Sequence, residues 1–144
     1  MTAPIQLVVA CLTLVLLTVA VGLRLLYVRT VEMREKRVHP QAASTSIQMA
    51  VKLQNVQASD NFKNLFETPI LFYSLVGIAI ATNHTPGWLA MGSWAYVALR
   101  VAHSLIHCTY NRVMHRFAVF GCGFLLLTVL WVAFAVGLVG KSVV

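Results

Sequence analysis

From Ile5 to Leu23 the chain carries no charged side chain, and the first one, Arg24, closes an apolar stretch of about 20 residues. As an α-helix rising about 1.5 Å per residue, that stretch covers the roughly 30 Å hydrocarbon core of a bilayer. The rest of the 144 residues continues the pattern: 59% are hydrophobic and 10% charged, with a mean hydropathy of +0.79. A soluble chain this short needs more polar surface to cover its core. The composition excludes an ordinary soluble enzyme, a disulfide scaffold and a disordered tail, leaving a single integral membrane domain over 1–144. No basic residue precedes the first stretch, and Arg24 and Arg29 follow it. That charge order is the reverse of an export signal, so the stretch reads as a retained helix.

Three more apolar segments follow, and an all-α bundle of four membrane helices is expected. The first helix spans about 5–28 and exits at Arg29, Arg34, Lys36 and Arg37, with His39-Pro40 as a breaker. The second is expected over 44–82, capped by Ser44-Thr45-Ser46, with only 65–82 apolar enough for lipid. The turn Asn83–Gly87 leads to a third helix over 88–110. Asn111 to Arg116 forms a basic boundary before a fourth over 117–138, with a short tail to Val144.

The formal charge of +7, from 11 Lys+Arg against 4 Asp+Glu, does not form a stripe on a polar domain, as nucleic-acid binding would need. It gathers in the connections between helices 1 and 2 and between helices 3 and 4. The positive-inside rule then places both connections in the cytoplasm and both termini on the non-cytoplasmic side. Cys11, Cys108 and Cys122 show no CxxC spacing and no redox motif.

Two groups of polar residues interrupt the apolar pattern. Asp60, Asn64 and Glu67 are spaced i, i+4, i+7, which stacks them on one helix face. Glu67 either pairs with Lys63 on a wet surface or turns into the bundle towards a ligand or another helix. Arg100, His103, His107 and Tyr110 form a second stripe at i, i+3, i+7, i+10. An unpaired guanidinium inside a membrane span costs at least a few kcal/mol, so Arg100 needs a partner, an anion or a wet cleft. Glu67 is the nearest carboxylate in depth, and a structural Glu67–Arg100 pair is one reading. With Asn111, Arg112, His115 and Arg116, this end of helix 3 makes an electropositive mouth. For Arg112, topology alone is a sufficient explanation. Two histidines four apart can share a metal, but no histidine or acidic pair faces them, so neither metal nor haem is expected.

Four short spans, N-x-x-E with a nearby proline (Asn64, Glu67, Pro69) and R-x-x-H on helix 3 (Arg100, His103) resemble the MAPEG family, membrane-associated proteins in eicosanoid and glutathione metabolism. The resemblance is nearest to the microsomal glutathione transferase-like bacterial branch. It covers most of the chain and is strongest over 61–116. It implies a homotrimer in a bacterial inner membrane, with a glutathione site at each subunit interface facing the cytoplasm. It also implies glutathione as cosubstrate and a lipophilic electrophile or lipid hydroperoxide as second substrate. Some members only present a lipid. Asn64 and Glu67 match residues that hold glutathione, with Glu67 near its amine. Arg100 and His103 match the helix 3 motif, and Arg116 matches an arginine that holds a carboxylate or steadies the thiolate. Arg112 is a further candidate for a carboxylate, Arg100 or Arg116 for the cation that lowers the thiol pKa, and His103 or His107 for proton transfer, with Tyr110 a further catalytic candidate. The departures are Asp60 where several members have arginine, His107 where a tyrosine is expected, and Thr68 where another branch has tyrosine. The reading from a different class is a non-catalytic lipid-binding protein or accessory subunit of a membrane complex.

Overall fold

The structure, a computed structural model, describes residues 1–142, without the side chains of Ser46, Ala50 and Ser142. Its helices are α1 (Ala3–Glu35), α2 (Ser46–Lys52), α3 (Gln57–Ala81), α4 (Gly87–Cys108) and α5 (Val113–Ser142), with a 3-10 turn at Pro40–Ala43. The fourth apolar segment is thus helical as far as Ser142, and Val143–Val144 lie outside the described residues. α1 packs against α3 and α4, α4 against α5, and α3 against both α4 and α5.

The core is apolar and aromatic: Leu7, Leu14, Phe72, Leu75, Tyr96 and Phe134 are all buried. The ring of Phe72 stacks on Tyr96 with centroids 5.0 Å apart. The outer surface is apolar too, with Leu16 68% and Leu125 66% exposed. Water penalises so much exposed hydrocarbon, whereas lipid does not. α1, α3 and α5 are each long and apolar enough to cross a membrane. The protein is therefore an integral, multi-span membrane protein. The four apolar spans expected reduce to these three among the described residues. α4 carries Ser93, Arg100, His103, Ser104 and His107, all turned inward and buried.

The single helix expected over 44–82 is broken. α2 ends at Lys52, Leu53 is extended, and α3 begins at Gln57. The cause lies on α1, which continues well past residue 28 and carries the buried Glu32. Its carboxylate accepts the backbone N–H groups of Gln54 at 2.6 Å and Asn55 at 3.2 Å. It also pairs with Lys36 at 2.7 Å, whose Nζ donates to the Lys52 carbonyl at 3.3 Å. A charged acceptor competes successfully for amides that a helix would otherwise bond internally. Replacing Glu32 by alanine strands those donors and unpairs Lys36. The expected loss is about 1–3 kcal/mol of stability in a detergent unfolding series, and an unchanged midpoint would show that this clasp holds nothing.

α4 and α5 approach closely at Gly92. A Cβ built there collides with Leu130 Cδ2 and meets its Cγ at 3.4 Å. Leu130 is buried and has little room to change rotamer. Gly92→Ala is expected to lower thermal stability by about 1–3 kcal/mol, with Gly140→Ala, where nothing stands within 4 Å, as the silent control.

Candidate functional site

At one end of the bundle, α4 stops at Cys108 and the chain turns before α5 starts at Val113. Asn111 adopts the left-handed region with φ 46°, which an amide residue tolerates better than most. Its N–H returns to the Ile106 carbonyl at 2.8 Å, satisfying one of the carbonyls that the last turn of α4 leaves open. Its side-chain oxygen accepts from Arg116 Nη1 at 3.0 Å. The turn that ends α4 therefore also aims the first charged side chain inside α5.

Arg116 fixes both histidines of α4. The His103 Nδ1 lies 3.3 Å from the Arg116 carbonyl oxygen. A carbonyl only accepts, so Nδ1 carries the proton and Nε2 is left with a lone pair. The His107 Nε2 lies 2.9 Å from Arg116 Nη1. A guanidinium only donates, so here Nε2 is bare and Nδ1 carries the proton. The two neutral rings, 5.6 Å apart and edge to face, are held in the same Nδ1–H tautomer by one residue, through its backbone carbonyl on one ring and its guanidinium on the other. His103 Nε2 and His107 Nδ1 are buried without a protein partner.

A cleft of about 140 Å³ opens beside this knot, lined by Asn64 from α3, His103 from α4, and Val113, Arg116, Phe117 and Phe120 from α5. It brings together a half-buried cation, an amide and an imidazole acceptor against aromatic walls. Such a set can hold an anionic polar group beside an apolar one. Among the described residues no three His, Cys, Asp or Glu side chains converge as metal ligands. The guanidinium on His107 also opposes a cation there.

The other expected site residues lie elsewhere. Arg100 is buried, and its Nε donates to the Tyr96 hydroxyl at 3.0 Å. Its guanidinium carbon lies over the Tyr96 ring at 5.4 Å and the Phe120 ring at 5.1 Å. Nη1 and Nη2 have no hydrogen-bond partner. The Glu67–Arg100 pair does not form: among the described residues the ion pair is Lys36–Glu32, and Glu67 is exposed. The reason is the rotation of α3. Its core face runs through Asn61, Leu65, Thr68, Phe72 and Leu75, one position off the 60-64-67 stripe. Glu67 accordingly points away from α4. Arg112 is exposed, and Tyr110, 57% exposed, meets His115 Nδ1 through its hydroxyl at 3.3 Å.

Thr68 and Asn61 are both buried polar residues of α3, and the one that sequence reasoning missed is Asn61. Its amide donates to Cys108 Sγ at 3.4 Å and accepts from Ser104 Oγ at 3.3 Å. Arg24 Nη2 donates to the Cys108 carbonyl at 2.6 Å, capping the end of α4 from α1. The spacing 61-65-68-72 carried the signal, since it continues the core stripe with two polar members, Asn61 and Thr68, among apolar ones.

No curated protein matches the chain, and no solved structure does. The MAPEG family model matches residues 7–136, a span that holds the whole cleft and most of every helix lining it, and on that match the chain belongs to the MAPEG family.

Proposed function

We propose that the protein is a glutathione-dependent transferase or peroxidase acting on a lipophilic electrophile or a lipid hydroperoxide. In this reading α4 is a fourth span, the basic connections face the cytoplasm, and the chain assembles as a homotrimer. The observation that carries the proposal is Arg116, a half-buried guanidinium that lines the cleft with Asn64 and His103. A fixed cation beside a thiol favours the thiolate, the form that attacks carbon or peroxide oxygen. His103 Nε2 supplies an acceptor for a ligand N–H or O–H, and the aromatic walls of Phe117 and Phe120 receive the lipophilic partner from the bilayer. Glu67 faces away from its own cleft, so it would meet the glutathione amine at a boundary between copies.

A second reading, a non-catalytic lipid-binding or accessory subunit, is favoured by Asp60 in place of an arginine and by the enclosure of Arg100 between two rings. Titration calorimetry of glutathione into the detergent-purified protein separates the two. Saturable binding supports the enzyme. A folded oligomer that takes up no glutathione selects the accessory role.

A further inference from the structure

The seam between α1 and α3 is polar at one end and apolar along its length. On α3, Ser59, Lys63, Phe66, Ile70 and Tyr73 follow the spacing i, i+4, i+7, i+11, i+14, one helix face. Val15, Val19 and Arg29 supply the facing side from α1. Over both helices the seam is about 21 Å long, longer than half the hydrocarbon core.

Two cavities occupy it. At the polar end, about 100 Å³ is enclosed by Arg29, Asn55, Ser59, Asp60 and Lys63 over an apolar floor that includes Leu53. Arg29 Nη2 donates to Ser59 Oγ at 3.0 Å. Among the described residues, neither Lys63 nor the Asp60 carboxylate makes an ion pair. Further along, a groove of about 350 Å³ runs between Val15, Thr18 and Val19 on α1 and Phe66, Ile70 and Tyr73 on α3. Phe66 and Ile70 are 60% and 59% exposed. Between the two cavities Phe62 packs against Gly22 and meets Phe66 edge to face at 5.0 Å.

We propose that this seam binds an aminophospholipid of the surrounding bilayer, independently of any thiol chemistry in the α4–α5 cleft. The chemistry of the polar end selects the headgroup. Two cations, Arg29 and Lys63, suit a phosphodiester, and the adjacent Asp60 suits a primary ammonium that donates N–H bonds. A quaternary choline has no N–H to give, and a purely anionic glycerol headgroup leaves Asp60 facing like charge. The groove beyond, nearly all apolar and open at its side, takes an acyl chain. Asp60 thus has a role here that an arginine at the same position would destroy.

The test uses the full-length protein, purified in detergent and stripped of lipid, with its thermal midpoint measured as dioleoyl phosphatidylethanolamine, phosphatidylcholine or phosphatidylglycerol is added. Phosphatidylethanolamine is expected to raise the midpoint at lipid concentrations at least tenfold lower than phosphatidylcholine. Lys63→Gln should abolish that advantage, and Asp60→Asn should leave phosphatidylethanolamine no better than phosphatidylglycerol. Both positions are exposed, so neither substitution threatens folding. Ile70→Trp, which fills the groove, should reduce the retained lipid seen by native mass spectrometry. Equal responses to all three lipids, or an Asp60→Asn protein that keeps the preference, overturn the proposal. So does an Ile70→Cys variant that cross-links to a second copy in bilayers, since the groove is then filled by protein.

Discussion

Arg116→Ala is expected to weaken glutathione binding on the order of a hundredfold, about 3 kcal/mol. The side chain makes three kinds of contact that nothing else in the cleft replaces. It supplies the cation that lines the cleft, holds Asn111 Oδ1 at 3.0 Å, and sets the tautomer of His107 at 2.9 Å. Its loss therefore removes the charge and frees His107 together. Arg116→Lys separates these effects: it keeps a point charge but cannot fork between His107 and Asn111. The lysine variant is expected to bind glutathione within about tenfold of wild type. Calorimetry alongside circular dichroism reads both, and an alanine variant that binds as tightly as wild type removes Arg116 from the site.

Arg100 is expected to behave in the opposite way. It is buried in the α4–α5 seam with two nitrogens unsatisfied and, among the described residues, no ion pair to a carboxylate. The ring contacts at 5.4 and 5.1 Å return only about 2 kcal/mol at best, less than burying a guanidinium costs. Arg100→Met, similar in length and without a charge, is expected to raise stability by about 1–4 kcal/mol in detergent. Tyr96→Phe, which leaves the charge in place and removes the acceptor of its Nε, is expected to lower stability by about 1–3 kcal/mol. If Arg100→Met instead destabilises the protein, Arg100 has a counter-charge in the assembled state, and Glu67 of a neighbouring copy becomes the first residue to substitute.

The sequence showed most clearly what depends on hydropathy and local chemistry. The apolar lengths of α1, α3 and α5, the turn at Asn83, and the basic segment that carries Arg116 are all legible from residue order. What escaped depends on rotation and on distant competition. Nothing local marks residues 53–56 as a helix break; the break exists because Glu32, more than 20 residues away, takes the amides of Gln54 and Asn55. The Asp60-Asn64-Glu67 stripe is a true helical face, but the packing of Phe72 and Leu75 turns Asn61 inward in its place. Asn64 reaches the cleft at the edge of that face, and Glu67 does not. The histidines were visible as a pair. Their shared Nδ1–H tautomer was not, because it is set in both by Arg116 from another helix.

The central claim is that the Asn64–His103–Arg116 cleft holds a thiol peptide as its thiolate. The direct measurement is the ultraviolet absorbance of the thiolate as glutathione is added to purified protein, with Arg116→Ala measured in parallel. The expected result is a saturable band in wild type that is lost in the variant. A wild-type protein, folded and oligomeric, that shows no thiolate band at saturating glutathione would contradict it.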